Sequence, residues 1–146
     1  MAAVLPDVTV LVYAYRREAD RHDRHETWLN TFLNGGDDLA LAETVLTGFV
    51  RIVTHPKIMS EPAPTAHALE FVAALRTARR ARPVSGTAST WDHFAEPAGA
   101  DAQVRGNLVP DAWIAALARS YGCRVATADR GFARFPAVEF FDPAPA

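Results

Sequence analysis

The chain has 146 residues, 49% of them hydrophobic, which is enough for one well-buried domain, and we expect a single domain over residues 1–146. Its 15 basic and 17 acidic residues give a formal net charge of -2, which excludes a bulk positive field that would attract nucleic acid. The single cysteine, Cys123, excludes an intrachain disulfide and a cysteine-based zinc site, and no apolar run approaches the roughly 18 residues of a membrane span, so we expect a cytoplasmic protein.

Hydrophobic periodicity and turn residues predict strands that alternate with helices along the whole chain. The predicted strands cover residues 1–5, 39–42, 83–84, 124–127 and 139–141. The predicted helices cover residues 22–34, 43–54, 65–80, 89–96 and 110–121, whereas residues 8–15 either extend the first strand or form a helix. Thr65 is an expected N-cap, residues 97–99 an expected break, and Gly122 an expected C-cap. This alternation predicts a three-layer α/β/α sandwich with a central, mainly parallel sheet.

Three aspartates lie where predicted strands end or a helix begins. Asp7 follows the first strand, Asp111 begins the helix over residues 110–121, and Asp129 follows the strand over residues 124–127. Taken singly, each is also consistent with an ordinary turn or cap residue. In an open parallel sheet, however, the carboxyl ends of neighbouring strands share one edge, where such folds bind ligands. Carboxylates gathered there repel one another and therefore bind protons or a cation, and an all-oxygen set favours Mg²⁺ or Mn²⁺.

Helical spacing places two further candidates, Glu43 and Arg51, on one face of the helix over residues 43–54. Glu43 either reaches the acids or lies on a solvated face, and Arg51 is the best single candidate for a phosphate contact. The arginines between residues 76 and 82 are either solvated residues at a helix end or a basic rim for nucleic acid. Tryptophans at positions 28, 91 and 113 are expected in the core or at an interface rather than stacked on bases.

Four segments carry a resemblance to a known family: residues 7–11 (DVTVL), 48–56 (GFVRIVTHP), 106–112 (GNLVPDA) and 127–136 (TADRGFARFP). They resemble the PIN-domain ribonucleases, specifically the VapC-like toxins of type II toxin-antitoxin pairs. The resemblance implies a small α/β/α nuclease in which acids hold Mg²⁺ or Mn²⁺, which orients a water to attack an RNA phosphodiester. It also implies a homodimer that is inhibited by a small cognate antitoxin protein.

The resemblance assigns Asp7, Asp111 and Asp129 to the first, third and fourth acids of the family. The family usually has a glutamate where this chain has Gly48, so Glu43, five residues earlier, is the alternative source of a fourth catalytic acid.

Other positions depart from the family pattern or complete it. Gly131 stands where many members have another aspartate, so we expect one metal ion rather than two. Thr9 stands where the family usually has Asn or Ser, and we expect its hydroxyl to orient Asp7, with Asn107 in a similar hydrogen-bonding role. Thr9 also occupies the place of the second aspartate that haloacid-dehalogenase phosphotransferases require.

The sequence therefore predicts a metal-dependent endoribonuclease that acts as a toxin, with Asp7, Asp111 and Asp129 as metal ligands. Its substrate-binding candidates are Arg51, Arg79 and Arg80. The alternative from another class is a catalytically weak PIN domain that binds RNA or an antitoxin. A metal-dependent phosphatase is disfavoured because the second aspartate of that pattern is absent.

Overall fold

The computed structural model describes residues 2–145, so residue 1, predicted as part of the first strand, and residue 146 lie outside the described part. The strands are β1 (Ala3–Pro6), β2 (Asp38–Ala42), β3 (Ala81–Val84), β4 (Arg124–Ala126) and β5 (Phe140–Phe141). The helices are α1 (Val8–Tyr15), α2 (His22–Leu33), α3 (Glu43–Val53), α4 (Thr65–Arg76), α5 (Ala88–Ala100) and α6 (Leu108–Tyr121), and a short 3₁₀ helix covers Arg130–Arg134. The predicted alternation is confirmed, and residues 8–15 form a helix.

All five strands are parallel, in the order β3-β2-β1-β4-β5. This order places β1 in the centre of the sheet, with β4 beside it. Pro6 at the end of β1 is paired with Ala126 at the end of β4, and the Asp7 backbone N–H donates to the Ala126 carbonyl at 2.9 Å. The residues that follow these two strands therefore begin their loops side by side at the carboxyl edge.

Two groups of helices cover the sheet, which confirms the predicted three-layer α/β/α arrangement. Helix α1 packs against both α2 and α3, α3 packs against α4, and α5 packs against α6. The central strands are apolar because both faces are covered, and Val4, Leu5 and Val125 are fully buried. No helix in residues 2–145 has both the length and the apolar character needed to cross a membrane.

The apolar stripe of α3 is confirmed in detail, since Val45, Leu46, Phe49 and Val53 are buried on one face. A Cβ atom built on Gly48 would lie 3.2 Å from Cγ2 of Val8. The absence of a side chain at this position therefore lets α3 approach α1 closely.

Two predicted helix boundaries are wrong. The helix that begins at Thr65 ends at Arg76 rather than at residue 80, because the Arg80 carbonyl already accepts the Leu39 N–H at 2.9 Å and belongs to the sheet. The expected N-cap is also wrong, since Pro64 precedes the helix without a side-chain cap and Thr65 is its first residue.

The predicted break at residues 97–99 does not occur. Helix α5 continues through Pro97 to Ala100, and the Asp101 N–H donates to the Pro97 carbonyl at 3.1 Å. A proline inside a helix removes one hydrogen bond, and its ring crowds the carbonyl four residues earlier. The packing of α5 on α6 nevertheless holds the last turn in place. The predicted C-cap is confirmed, because Gly122 has φ +66 at the end of α6.

Candidate active site

Asp7 is a buried carboxylate at the end of the central strand. It is 5% exposed and caps α1, and its Oδ1 accepts the Val8 N–H at 2.6 Å. Its Oδ2 accepts the Thr127 hydroxyl at 2.9 Å and the Thr9 hydroxyl at 3.4 Å. Burial raises the pKa of Asp7, these three hydrogen bonds oppose that change, and the negative charge of Asp129 adds to the rise. The predicted contact between Thr9 and Asp7 is present, although it is long for a hydrogen bond between oxygens.

Thr127 is a site residue that the sequence interpretation missed. It is 1% exposed and follows β4 directly. Its Oγ1 donates to Asp7 and accepts the backbone N–H of Asp129 at 3.0 Å, so one hydroxyl joins two of the candidate acids. A hydroxyl residue two positions before an aspartate at a strand end was the available signal, but threonine is also a common strand residue.

Asp129 follows β4 and is exposed at the same edge. Its Oδ1 accepts the Gly131 N–H at 2.7 Å. A Cβ atom built on Gly131 would lie 2.9 Å from this oxygen, closer than real Cβ contacts. Glycine at position 131 is therefore required by the present conformation of Asp129, and an added side chain would displace the Asp129 carboxylate.

Asp111 lies in the first turn of α6 and is half-buried. Burial raises its pKa to about 6, and the negative charges of Asp7 and Asp129 contribute to that rise. All three aspartates line one open cavity of about 920 Å³. The structure thus brings together the three acids that were predicted from strand ends and a helix start.

The three carboxylates do not form a closed chelating group as they stand. Within residues 2–145, no three His, Cys, Asp or Glu side chains are arranged to hold one metal ion. In this arrangement Oδ2 of Asp7 accepts the Thr127 hydroxyl, and Oδ1 of Asp129 accepts the Gly131 N–H. The donor set still fits a hard divalent cation, since all donors are carboxylate oxygens and a cation would relieve the repulsion that raises the Asp111 pKa.

Helix α3 forms one wall of the cavity with Thr44, Thr47, Gly48 and Arg51. Arg51 is exposed, and no hydrogen bond or ion pair to another described residue holds its guanidinium group. Arg51 therefore lies where the sequence interpretation expected a phosphate contact.

Two other predicted residues do not reach the acids. Glu43 is exposed at the first position of α3 and does not line the cavity, although it shares the helix face of Thr47 and Arg51. Asn107 is exposed before α6, and its side chain makes neither a capping bond nor a hydrogen bond to the acids in the described part of the chain. The structure does not support the expected roles of these two side chains.

The predicted basic rim formed by Arg79 and Arg80 is also corrected. Arg80 binds Asp38 at 2.7 Å, and Asp38 begins β2 at the amino edge of the sheet. Arg82 lies 3.9 Å from the same carboxylate. Since β2 is five residues long, this edge lies about 13 Å from the carboxyl edge. Arg79 precedes Arg80 at that edge, and neither residue lines the cavity.

Three aromatic rings form another wall of the cavity, and we call this group the aromatic wall. It consists of Trp91 and Phe94 from α5 and Trp113 from α6. The ring centroids of Trp91 and Trp113 are 4.9 Å apart, and Phe94 lies within 5.7 Å of both. Trp91 is 60% exposed, so it is not a core residue of the isolated chain, and the alternative of an interface position stays a prediction.

Comparison with known protein families identifies the architecture. The model of the PIN domain matches residues 4–138. The chain belongs to the PIN-domain family. Among curated relatives, this PIN domain is 35% identical over 137 residues to VapC ribonuclease Mb2897 of Mycobacterium bovis, which covers 94% of this chain and 92% of that protein. It is 33% identical over 138 residues to ribonuclease VapC48 of Mycobacterium tuberculosis, with 94% of each chain covered.

A solved structure shows the same fold at low sequence identity. The VapBC2 structure from Rickettsia felis, determined with a DNA fragment from its promoter, contains a chain that superimposes with a TM-score of 0.72 at 17% identity. The match covers 96% of this PIN domain and 98% of that chain. The predicted family and fold are therefore confirmed over nearly the whole chain.

Proposed function

We propose that this PIN domain is a divalent-metal-dependent endoribonuclease that acts as the toxin of a toxin-antitoxin pair. The observation that carries the proposal is the meeting of Asp7, Asp111 and Asp129 in one cavity, where burial and mutual repulsion raise the Asp111 pKa to about 6. Two relatives at 33% and 35% identity are named ribonucleases, which supports RNA as the substrate.

The proposed ligands of Mg²⁺ or Mn²⁺ are Asp7, Asp111 and Asp129. When bound, such a cation activates water and neutralises the charge that develops on the phosphate. The Thr127 hydroxyl fixes the positions of the Asp7 carboxylate and the Asp129 backbone through its two hydrogen bonds. Arg51 binds a phosphate oxygen of the RNA. Gly48 and Gly131 carry no acid, so one metal ion remains our expectation.

The proposed partners follow from the named relatives and from the fold. We infer a small cognate antitoxin, because the relatives carry the VapC name and the fold occurs in a VapBC structure. Homodimerisation and a cytoplasmic location stay predictions from the sequence.

The second candidate function is a PIN domain that binds RNA or an antitoxin with negligible cleavage. The open arrangement of the carboxylates and the glycines at positions 48 and 131 favour it. Incubation of purified protein with RNA in Mg²⁺, in Mn²⁺ and in EDTA separates the two functions. Sequencing of the new 5′ ends then maps the cut. Cleavage only with a divalent ion supports the nuclease, whereas RNA binding without any cut supports the binding module.

We expect Thr127→Val to lower metal affinity or the cleavage rate by roughly 10- to 100-fold, the usual effect of removing a hydrogen bond that orients a ligand. Thr9→Val should cost less, because its bond to Asp7 is 3.4 Å long whereas that of Thr127 is 2.9 Å. Thr127→Ser keeps the hydroxyl and is the matched control. Isothermal titration with Mn²⁺ and cleavage assays measure both effects, and equal losses in the two valine variants contradict this ranking.

We expect Arg51→Ala to weaken RNA binding and to reduce the slope of log K against log salt by about 0.7, the value for one phosphate contact on a single strand. Its guanidinium group is exposed beside the acids and free of other partners in the described chain. Arg79→Ala is the matched control, because Arg79 is exposed at the other edge of the sheet. Binding at several salt concentrations measures the slope. A change with Arg79→Ala and none with Arg51→Ala would place the RNA path at the amino edge.

A further inference from the structure

The aromatic wall combines exposure with a fixed position. Trp91 is the most exposed of the large apolar side chains in residues 2–145 and lies in the first turn of α5. That turn is closed by a capping box between Thr87 and Thr90. The Thr90 hydroxyl, which is fully buried, also lies 2.8 Å from the Ser120 hydroxyl of α6. The backbone that carries Trp91 is therefore held in place before any ligand arrives.

Trp113 packs against Trp91, and its own ring is held against the backbone at Gly86. A Cβ atom built on Gly86 would lie 2.6 Å from Cζ2 of Trp113, so this ring lies directly on the backbone before α5. The ring planes of Trp91 and Trp113 are inclined by 57°. A rigid aromatic surface of this kind loses little conformational entropy when a flat ligand binds to it.

The cavity offers two chemistries that a single ligand would have to match. One part is ionic, with Asp7, Asp111 and Asp129 as cation ligands and the free guanidinium group of Arg51. The other part is aromatic, and its rings line the same cavity as the acids. A nucleotide joins a phosphate to a flat aromatic ring and therefore matches both parts of the cavity. Aliphatic protein side chains match the second part only.

We propose that the aromatic wall is a stacking site for one unpaired nucleobase next to the phosphate that is cut, with Trp91 as the main contact. This inference rests on the proposed ribonuclease function and adds a requirement to it. The RNA substrate must carry an unpaired base next to the phosphodiester bond that is cut. The expected substrate class is therefore a single-stranded loop or end. Stacking is tolerant of base identity, because every base has an aromatic face.

The test measures cleavage and binding of one RNA oligonucleotide that the wild type cuts, together with copies that carry an abasic nucleotide at single positions around the cut. Trp91→Leu keeps apolar volume and removes the aromatic face, whereas Trp91→Phe keeps a ring. We expect Trp91→Leu to reduce RNA affinity by about 5- to 150-fold, the range for one lost base stack. We expect Trp91→Phe to restore most of that affinity.

The abasic series identifies the base that binds. In the wild type, one abasic position should cause a loss similar to that of Trp91→Leu, and the two changes together should cost no more than either alone. Trp28→Leu is the matched control, because Trp28 packs on Phe32 and Phe141 away from the cavity. Thermal unfolding confirms that each variant is folded.

Three outcomes overturn the inference. The first is RNA affinity that does not change in Trp91→Leu, and the second is an abasic penalty that is the same in Trp91→Leu and in the wild type at every position. The third is loss of a dimer in Trp91→Leu, measured by analytical ultracentrifugation, with RNA binding intact, which assigns the wall to contacts between two copies of the chain. A wild type that binds RNA with the expected coupling but never cuts it contradicts the proposed nuclease and leaves the stacking site standing.

Discussion

Asp7→Asn is expected to lower RNA cleavage by about 10³-fold or more without unfolding the protein. A catalytic metal ion contributes several kcal/mol to stabilisation of the transition state, and each 1.4 kcal/mol is a factor of ten. Asparagine keeps an oxygen for the Val8 N–H and can still pair with the Thr127 hydroxyl. It also removes a buried charge whose pKa is raised by burial, so stability should be equal to that of the wild type or higher.

The matched control for Asp7→Asn is Glu43→Gln. Glu43 is exposed and does not line the cavity, so removal of its charge should leave the cleavage rate and Mn²⁺ affinity unchanged. Rates on one RNA substrate and unfolding by urea measure both variants. Activity that survives in Asp7→Asn excludes Asp7 as a metal ligand, and a loss in Glu43→Gln restores Glu43 as the fourth acid.

Asp111→Asn is expected to stabilise the protein at neutral pH in the absence of divalent ions. The pKa of Asp111 is about 6 in the folded protein, whereas its ordinary value is 3.8, so the folded state holds this proton more tightly than the unfolded state. Stability from this group is therefore present at low pH and is lost as the pH rises from about 4 to 6. A difference of one pKa unit corresponds to 1.36 kcal/mol, so the loss in free energy of unfolding is at most about 3 kcal/mol. Because Asp111 is only half-buried, solvent screening reduces it to about 1 kcal/mol.

The free energy of unfolding in EDTA should accordingly be about 1 kcal/mol higher for Asp111→Asn than for the wild type at pH 7.5, and equal at pH 4. Addition of Mn²⁺ should make the wild type more stable than Asp111→Asn at pH 7.5. A ligand that binds only the folded state stabilises it, by about 2.7 kcal/mol at 100 times Kd. Asp92→Asn on the exposed face of α5 is the control and should show neither effect. Mn²⁺ stabilisation that persists in Asp111→Asn contradicts the proposed ligand set.

The sequence was sufficient to predict the sheet and the shared position of the three acids, because both depend on short-range patterns. A strand end is visible from the apolar run before it, and parallel strands bring their ends to one edge, so the meeting of Asp7 and Asp129 follows from the fold class. Short-range patterns could not decide whether Glu43 reaches the acids. One turn of helix separates it from Thr47, and only the structure shows that the cavity begins after Glu43.

The positions of Arg79 and Arg80 away from the acids could not be predicted, because charge density along the chain does not show which edge of the sheet a residue occupies. Arg80 and Asp38 are 42 positions apart and meet only because β3 pairs with β2. Thr127 and the aromatic wall were missed for a related reason. A threonine in a strand and tryptophans in helices are ordinary core residues by type, and their role depends on which surfaces the tertiary packing leaves uncovered.

The close contact between α1 and α3 also limits how this site could change during evolution. A glutamate at position 48 would place its Cβ 3.2 Å from Cγ2 of Val8, so the Val8 side chain would have to shift by a few tenths of an ångström. Val8 is β-branched and has one strongly preferred rotamer in a helix, so it yields poorly. A smaller residue at position 8 would remove this conflict, so packing favours that mutation before a glutamate at position 48.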